Sequence, residues 1–139
     1  MADPTAIENN AEQPRESTRI ALDVLDGALS VCKLDELPAA LLESDLCFIA
    51  RTSEELSVVC ATADVPAAAL ACEDGWRALK VRGPLDFSLT GIMASIATTL
   101  AEANVALFAV STFDTDYVLV KEDALEAAIA ALRDAGCEI

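Results

Sequence analysis

The chain has 139 residues, 24 of them acidic and 9 basic, for a net charge of −15 and an apolar fraction of 54%. That balance excludes a nucleic-acid binder and an anionic membrane surface as partners, since both need clustered Lys and Arg. The length suits one ordinary domain or two very small ones sharing a core.

No segment approaches the ~18 consecutive apolar residues that span a bilayer. The opening MADPTAIENNAEQPRES lacks the basic and apolar regions of a secretory signal. Cys32, Cys47, Cys60, Cys72 and Cys137 are widely spaced, and the chain has no histidine. They read as reduced thiols of a cytoplasmic protein, and neither a metal nor another cofactor is expected. The missing histidine, and the lack of a Gly-rich phosphate loop, also argue against an enzyme.

In chain order, residues 1–18 are polar, contain two prolines and read as a disordered tail. Ile20 to Leu25 reads as a strand, Asp26-Gly27 as a hairpin turn, and Ala28 to Leu34 as the returning strand. Pro38 opens a short Ala/Leu-rich helical stretch. Leu46 to Arg51 and Leu56 to Cys60 read as strands about the turn Thr52-Ser53-Glu54-Glu55. Residues 61–75 carry an Ala run and Pro66 and fit a loop or a weak helix.

From Trp76 the pattern sharpens. Trp76 to Arg82 alternates as a strand, and Gly83-Pro84 ends it. Asp86 and Ser88 are suitable N-caps for a helix reaching Ala103, with Ile92, Ile96 and Leu100 as its buried stripe. Ala106 to Val110 is a strand, Thr112-Phe113-Asp114-Thr115 a turn, and Tyr117 to Lys121 the returning strand. A second helix follows from Glu122, with Leu125, Ala128, Ile129 and Leu132 inward and Gly136 as its stop. Cys137 to Ile139 can add a short edge strand. The order β-α-β-β-α-(β) predicts an α+β, ferredoxin-like arrangement with both helices on one face of an antiparallel sheet. The first half, β-β-(α)-β-β, has similar length and is read as a degenerate copy, although the letters alone do not display a repeat.

The run GPLDFSLTGIMASIATTLAEANVALFAVSTFDTDYVLVKEDALEAAIAAL, from Gly83 to Leu132, resembles the ACT-like family that includes the CASTOR cytosolic arginine sensors and small tandem-ACT proteins. The stretches TSEELSVVC (Thr52 to Cys60) and GWRALKV (Gly75 to Val81) resemble it as well. The resemblance implies two tandem ACT-like modules, here 19–75 and 76–139, and no catalysis. It also implies a small-molecule ligand, an amino acid, held by strand backbone, by the turn after a strand and by an aspartate. Carried over, the ligand-binding positions are Ser57 and Val58, Asp86 and Ile92, and Thr112, Phe113 and Asp116. The arginine sensors have a glutamate where this chain has Leu89, and a glycine where it has Asp86. Leucine cannot pair with a guanidinium, so an amino acid other than arginine is expected. The alternative is a scaffold or docking module whose pocket has closed. A homodimer is compatible with both.

Overall fold

In the computed structural model, which describes residues 19–83 and 91–139, two helices lie on one face of a seven-stranded sheet. The strands are β1 (Leu22–Val24), β2 (Leu29–Leu34), β3 (Cys47–Arg51), β4 (Leu56–Ala61), β5 (Ala71–Val81), β6 (Phe108–Ser111) and β7 (Asp116–Lys121). The helices are α1 (Ile92–Glu102) and α2 (Leu125–Asp134), and short 3-10 turns cover Ala39–Glu43, Thr62–Asp64 and Glu122–Ala124. The sheet order is β3-β4-β2-β5-β7-β6, every strand pair is antiparallel, and β1 pairs with β5 beyond the end of β2. The tail 1–18 and the capping positions Asp86 and Ser88 lie outside the described residues.

The Asp26-Gly27 hairpin does not form. β1 and β2 run in the same direction along one edge of β5, Leu22 facing Val81 and Leu29 facing Trp76. Gly27, at φ +93°, therefore makes an offset in a nearly continuous strand and leaves the chain direction unchanged. A second Asp-Gly pair, Asp74-Gly75, does the same inside β5. Glu73 opposes Val31 and Trp76 opposes Leu29, so β5 takes three steps where β2 takes two. Gly75 sits at φ +84°, where a residue with a Cβ is strained. The bulge swaps the pleat, so that both Cys72 and Leu79 face the helix side.

The halves repeat in space. Residues 47–64 and 107–124 follow the same course of strand, four-residue turn, strand and 3-10 turn, sixty positions apart. Thr52 accepts from the N–H groups of Glu54 and Glu55 and donates its own N–H to the Glu55 carbonyl at 3.0 Å. Thr112 likewise donates its N–H to the Thr115 carbonyl at 2.8 Å. β2 pairs with β4 as β5 pairs with β7, Leu29 facing Ala61 and Trp76 facing Lys121. The flanking cover differs. In the second half α1 and α2 bury Ile96, Leu100, Ala128 and Leu132 against Leu79, Val81, Val118 and Val120. In the first half, among the described residues, Leu41 from a 3-10 turn and nearby loop residues cover Cys32, Leu34, Leu56, Val58 and Cys60.

The helices end alike. Val105 N–H bonds the Leu100 carbonyl and Asn104 N–H that of Ala101; Cys137 N–H bonds Leu132 and Gly136 N–H bonds Arg133. Both are Schellman caps, with Asn104 (φ +61°) and Gly136 (φ +98°) in the left-handed position. α1 opens at Ile92 after Gly91, at φ +86°, so it starts later than Ser88. After α2 the chain makes a single parallel bridge, Glu138 to Ala21, in place of an edge strand. Arg82 holds both ends there, reaching Asp23 at 2.9 Å and Glu138 at 2.8 Å.

On the opposite face the sheet curls. Phe48 of β3 meets Tyr117 of β7 with ring centroids 4.9 Å apart, although three strands separate β3 and β7 in the sheet. The curl encloses Leu29, Val59, Trp76, Ala78 and Leu119.

Gly75→Ala and Gly27→Ala should each lower stability by about 1–2 kcal/mol through the left-handed backbone alone, since nothing lies within 4 Å of an added Cβ at either position. Denaturant melts of the two variants test this. Burial pushes the Cys32, Cys47, Cys60 and Cys137 thiols up, Cys32 to about 12. Unfolding returns them to ordinary acidity, so the folded state binds more protons above pH 9 and stability falls as pH rises from 9 toward 12. Melting temperatures under reductant should show that decline, and Cys32→Val should flatten it.

Candidate functional site

The turn between β6 and β7 is built by its threonines. The Thr112 hydroxyl donates to the Thr115 carbonyl at 3.0 Å and accepts from the Thr115 N–H at 3.4 Å. Thr115 is 5% exposed, and its hydroxyl donates to the carbonyl of Val81 at the end of β5. The turn is thus tied to the neighbouring strand, and a cavity of about 290 Å³ lies beside it, lined by Lys80, Gly83, Asp114 and Thr115. Lys80 is on the curled face, its ammonium 5.9 Å from the centre of the Tyr117 ring. A cation and a carboxylate therefore line one small volume.

The expected site residues divide into three groups. Thr112 and Phe113 are on this turn, Phe113 at its tip and 82% exposed. Asp116 opens β7 opposite Ser111 and lies on the helix-facing side of the strand, with Val118 and Val120. Ile92 occupies the first position of α1 and packs on the same helix-side core. Ser57 and Val58 are elsewhere. Ser57 opposes Lys33, which opposes Ala71 at the start of β5, whereas the turn meets the other end of that 11-residue strand. In the sheet register Ser57 and the turn thus belong to opposite ends of β5. Val58 is 1% exposed in the first half's core. One copy of the chain does not bring Ser57 and Val58 to the turn. Asp86 and Leu89 lie outside the described residues.

The repeat supplies a counterpart. At the far end of β5 a cavity of about 230 Å³ is lined by Lys33, Arg51, Thr52, Glu54 and Leu70, among others. Lys33 on β2 stands where Lys80 stands on β5, and Glu54 where Asp114 stands. Neither lysine stands out in the sequence, because Lys33 and Lys80 look like ordinary strand alternation. The available signal was that SVCKL (Ser30 to Leu34) and RALKV (Arg77 to Val81) end on the same Lys-apolar pair.

The comparisons with known proteins agree with this geometry. A family model described as ACT domain matches residues 71–134, starting at the first residue of β5. A solved protein of Agrobacterium tumefaciens is 34% identical, with a TM-score of 0.78, over 86% of this chain and 91% of that one. The chain belongs to the ACT-domain family. It is related to the human cytosolic arginine sensor for mTORC1, subunit 1, with 28% identity over 131 residues. That match takes in 94% of this chain but only 33% of the sensor's length. The ligand-free regulatory subunit of aspartate kinase from Thermus thermophilus shares the fold, with a TM-score of 0.56 at 16% identity, over 85% of this chain and 97% of that subunit. Relatives of this kind are regulatory, and among the described residues no three Cys, Asp or Glu side chains are grouped to hold a metal. No helix among them is long and apolar enough to cross a membrane.

Thr115→Val keeps the shape but leaves the buried Val81 carbonyl without its hydroxyl donor. The expected loss is about 1–3 kcal/mol, read as a lower denaturation midpoint. Thr112→Val, in a turn that keeps its backbone bond, should cost less.

Proposed function

We propose that this chain is a non-catalytic regulatory module that binds an amino acid other than arginine, in the cavity beside the Thr112–Thr115 turn. The observation that carries the reading is the pairing of Lys80 with Asp114 on one small cavity in an ACT-domain chain. Lys80 offers an ammonium to an α-carboxylate and Asp114 a carboxylate to an α-ammonium, the two charges every free amino acid presents. Thr112 and Phe113 would contact the ligand from the turn, while Asp116 and Ile92, which lie on the helix-facing side, would reach it with Asp86 only around the end of the sheet. Following the cytosolic sensors to which it is related, we place the protein in the cytoplasm.

In this reading the chain holds two tandem ACT-like modules. Support comes from the repeated turn, the repeated β2–β4 and β5–β7 pairing, and the repeated Asp-Gly bulge. Ser57 and Val58 would enter a site only from a second copy, whose first half docks on the second half of this one, giving a homodimer. The docking-module alternative has no equivalent use for opposed charges in the cavity.

A thermal-shift screen of the twenty amino acids at millimolar concentration tests the proposal. A ligand at about 100 times its dissociation constant adds roughly 2.7 kcal/mol. The expected result is a rise with a neutral amino acid that is lost in Lys80→Met and Asp114→Asn and weakened in Asp116→Ala. No rise with any amino acid would sink the reading and favour the docking module.

A further inference from the structure

Four of the five cysteines lie in the first half of the sheet, on the strands β2, β3, β4 and β5. Cys32 on β2 and Cys72 on β5 are direct partners in the antiparallel register, and their sulfurs stand 2.8 Å apart with both thiols free. We propose that Cys32 and Cys72 form a redox modification site, at which a low-molecular-weight disulfide converts the two thiols into an intramolecular disulfide.

Geometry favours the bond. Directly opposed residues of antiparallel strands have Cα atoms ~4.5–5.5 Å apart, inside the ~4.4–6.8 Å span that a disulfide bridges. Closing the sulfurs to ~2.05 Å needs less than an ångström of side-chain movement and none of the backbone. Access divides the roles. Cys72 is exposed, since among the described residues no helix covers the start of β5, while Cys32 is 2% exposed beneath the first half's thin cover. Burial and the neighbouring Cys72 push the Cys32 thiol up to about 12, which makes it a poor first nucleophile.

The chemistry follows that division. The Cys72 thiolate attacks one sulfur of the small disulfide, its S–S bond breaks, and the released thiolate takes up the proton that Cys72 gave to solvent. Cys32 sulfur then attacks Cys72 sulfur in the mixed disulfide and expels the second small thiolate, which leaves with the Cys32 proton. Two electrons and two protons pass from the protein to two small thiols, and one protein S–S bond remains. A small dithiol reverses both steps.

The competing pair is Cys47 and Cys60, also opposed across β3 and β4. Cys60 is fully buried and Cys47 half-buried, so neither offers an exposed thiol to a small disulfide.

The test is to reduce the full chain, remove the reductant, and incubate it with oxidised glutathione, followed by thiol counting and non-reducing peptide mapping. The expected result is a fall from five free thiols to three, a Cys32–Cys72 linked peptide, and full return with dithiothreitol. Cys32→Ala should trap a glutathione adduct on Cys72, and Cys72→Ser should leave the thiols unreactive. Because Cys72 is exposed, that variant tests the site even if Cys32→Ala folds poorly. Linkage of another pair, a lasting adduct on Cys72 in the unmutated chain, or five unchanged thiols would each overturn the proposal.

Discussion

The pairing of β2 with β5 is the constraint on which the structure depends. It joins the two halves of the sheet, and Leu29 and Trp76, which occupy the same place in the two repeats, face each other across it. Because β5 is long enough to serve both halves, its first residues complete the first half while its last residues form the inner strand of the second. β1 supplies the second half with the neighbour that the start of β5 supplies to the first. The second half therefore borrows an edge from outside its own run of sequence, and it could not be cut free without exposing a row of backbone donors and acceptors.

The bulge at Gly75 is what makes this sharing possible. An 11-residue strand with unbroken alternation would place either Cys72 or Leu79 on the wrong face. The offset lets one strand satisfy a helix-covered core at its far end and a turn-covered core at its near end. The same face of the sheet is thus dense over Val118 and Val120 and thinly covered over Cys32. That difference is why the first half has the chemically accessible cysteine and the second half does not.

Much of the second half was legible from residues because its signals are local. The Ile96 and Leu100 stripe, the Gly136 stop and the Thr112 turn each depend on spacing within a few positions. Asp26-Gly27 was misread since a glycine at positive φ serves a hairpin turn and a bulge equally, and only the partner strand decides. The shared course of residues 47–64 and 107–124 is faint in the letters, which agree chiefly at Phe48 with Phe108, Thr52 with Thr112 and Val58 with Val118. Candidate positions fared according to the same logic. Thr112, Phe113 and Asp116 are neighbours in sequence and stay neighbours in space, whereas the distance from Ser57 to the turn depends on strand order, which no local pattern encodes. Lys80 was overlooked because a lysine at the end of an alternating strand is unremarkable until the turn beside it is seen.

The contact of Arg82 with Asp23 and Glu138 has a bearing on how such a unit is used. Leu22 N–H bonds the Glu138 carbonyl at 2.7 Å, and the Arg19 side chain reaches the Gly136 carbonyl, so the two ends of the fold emerge side by side. A fold whose entry and exit coincide can be spliced into a host polypeptide like a cassette, since the interruption it makes in the host is only a few ångströms wide.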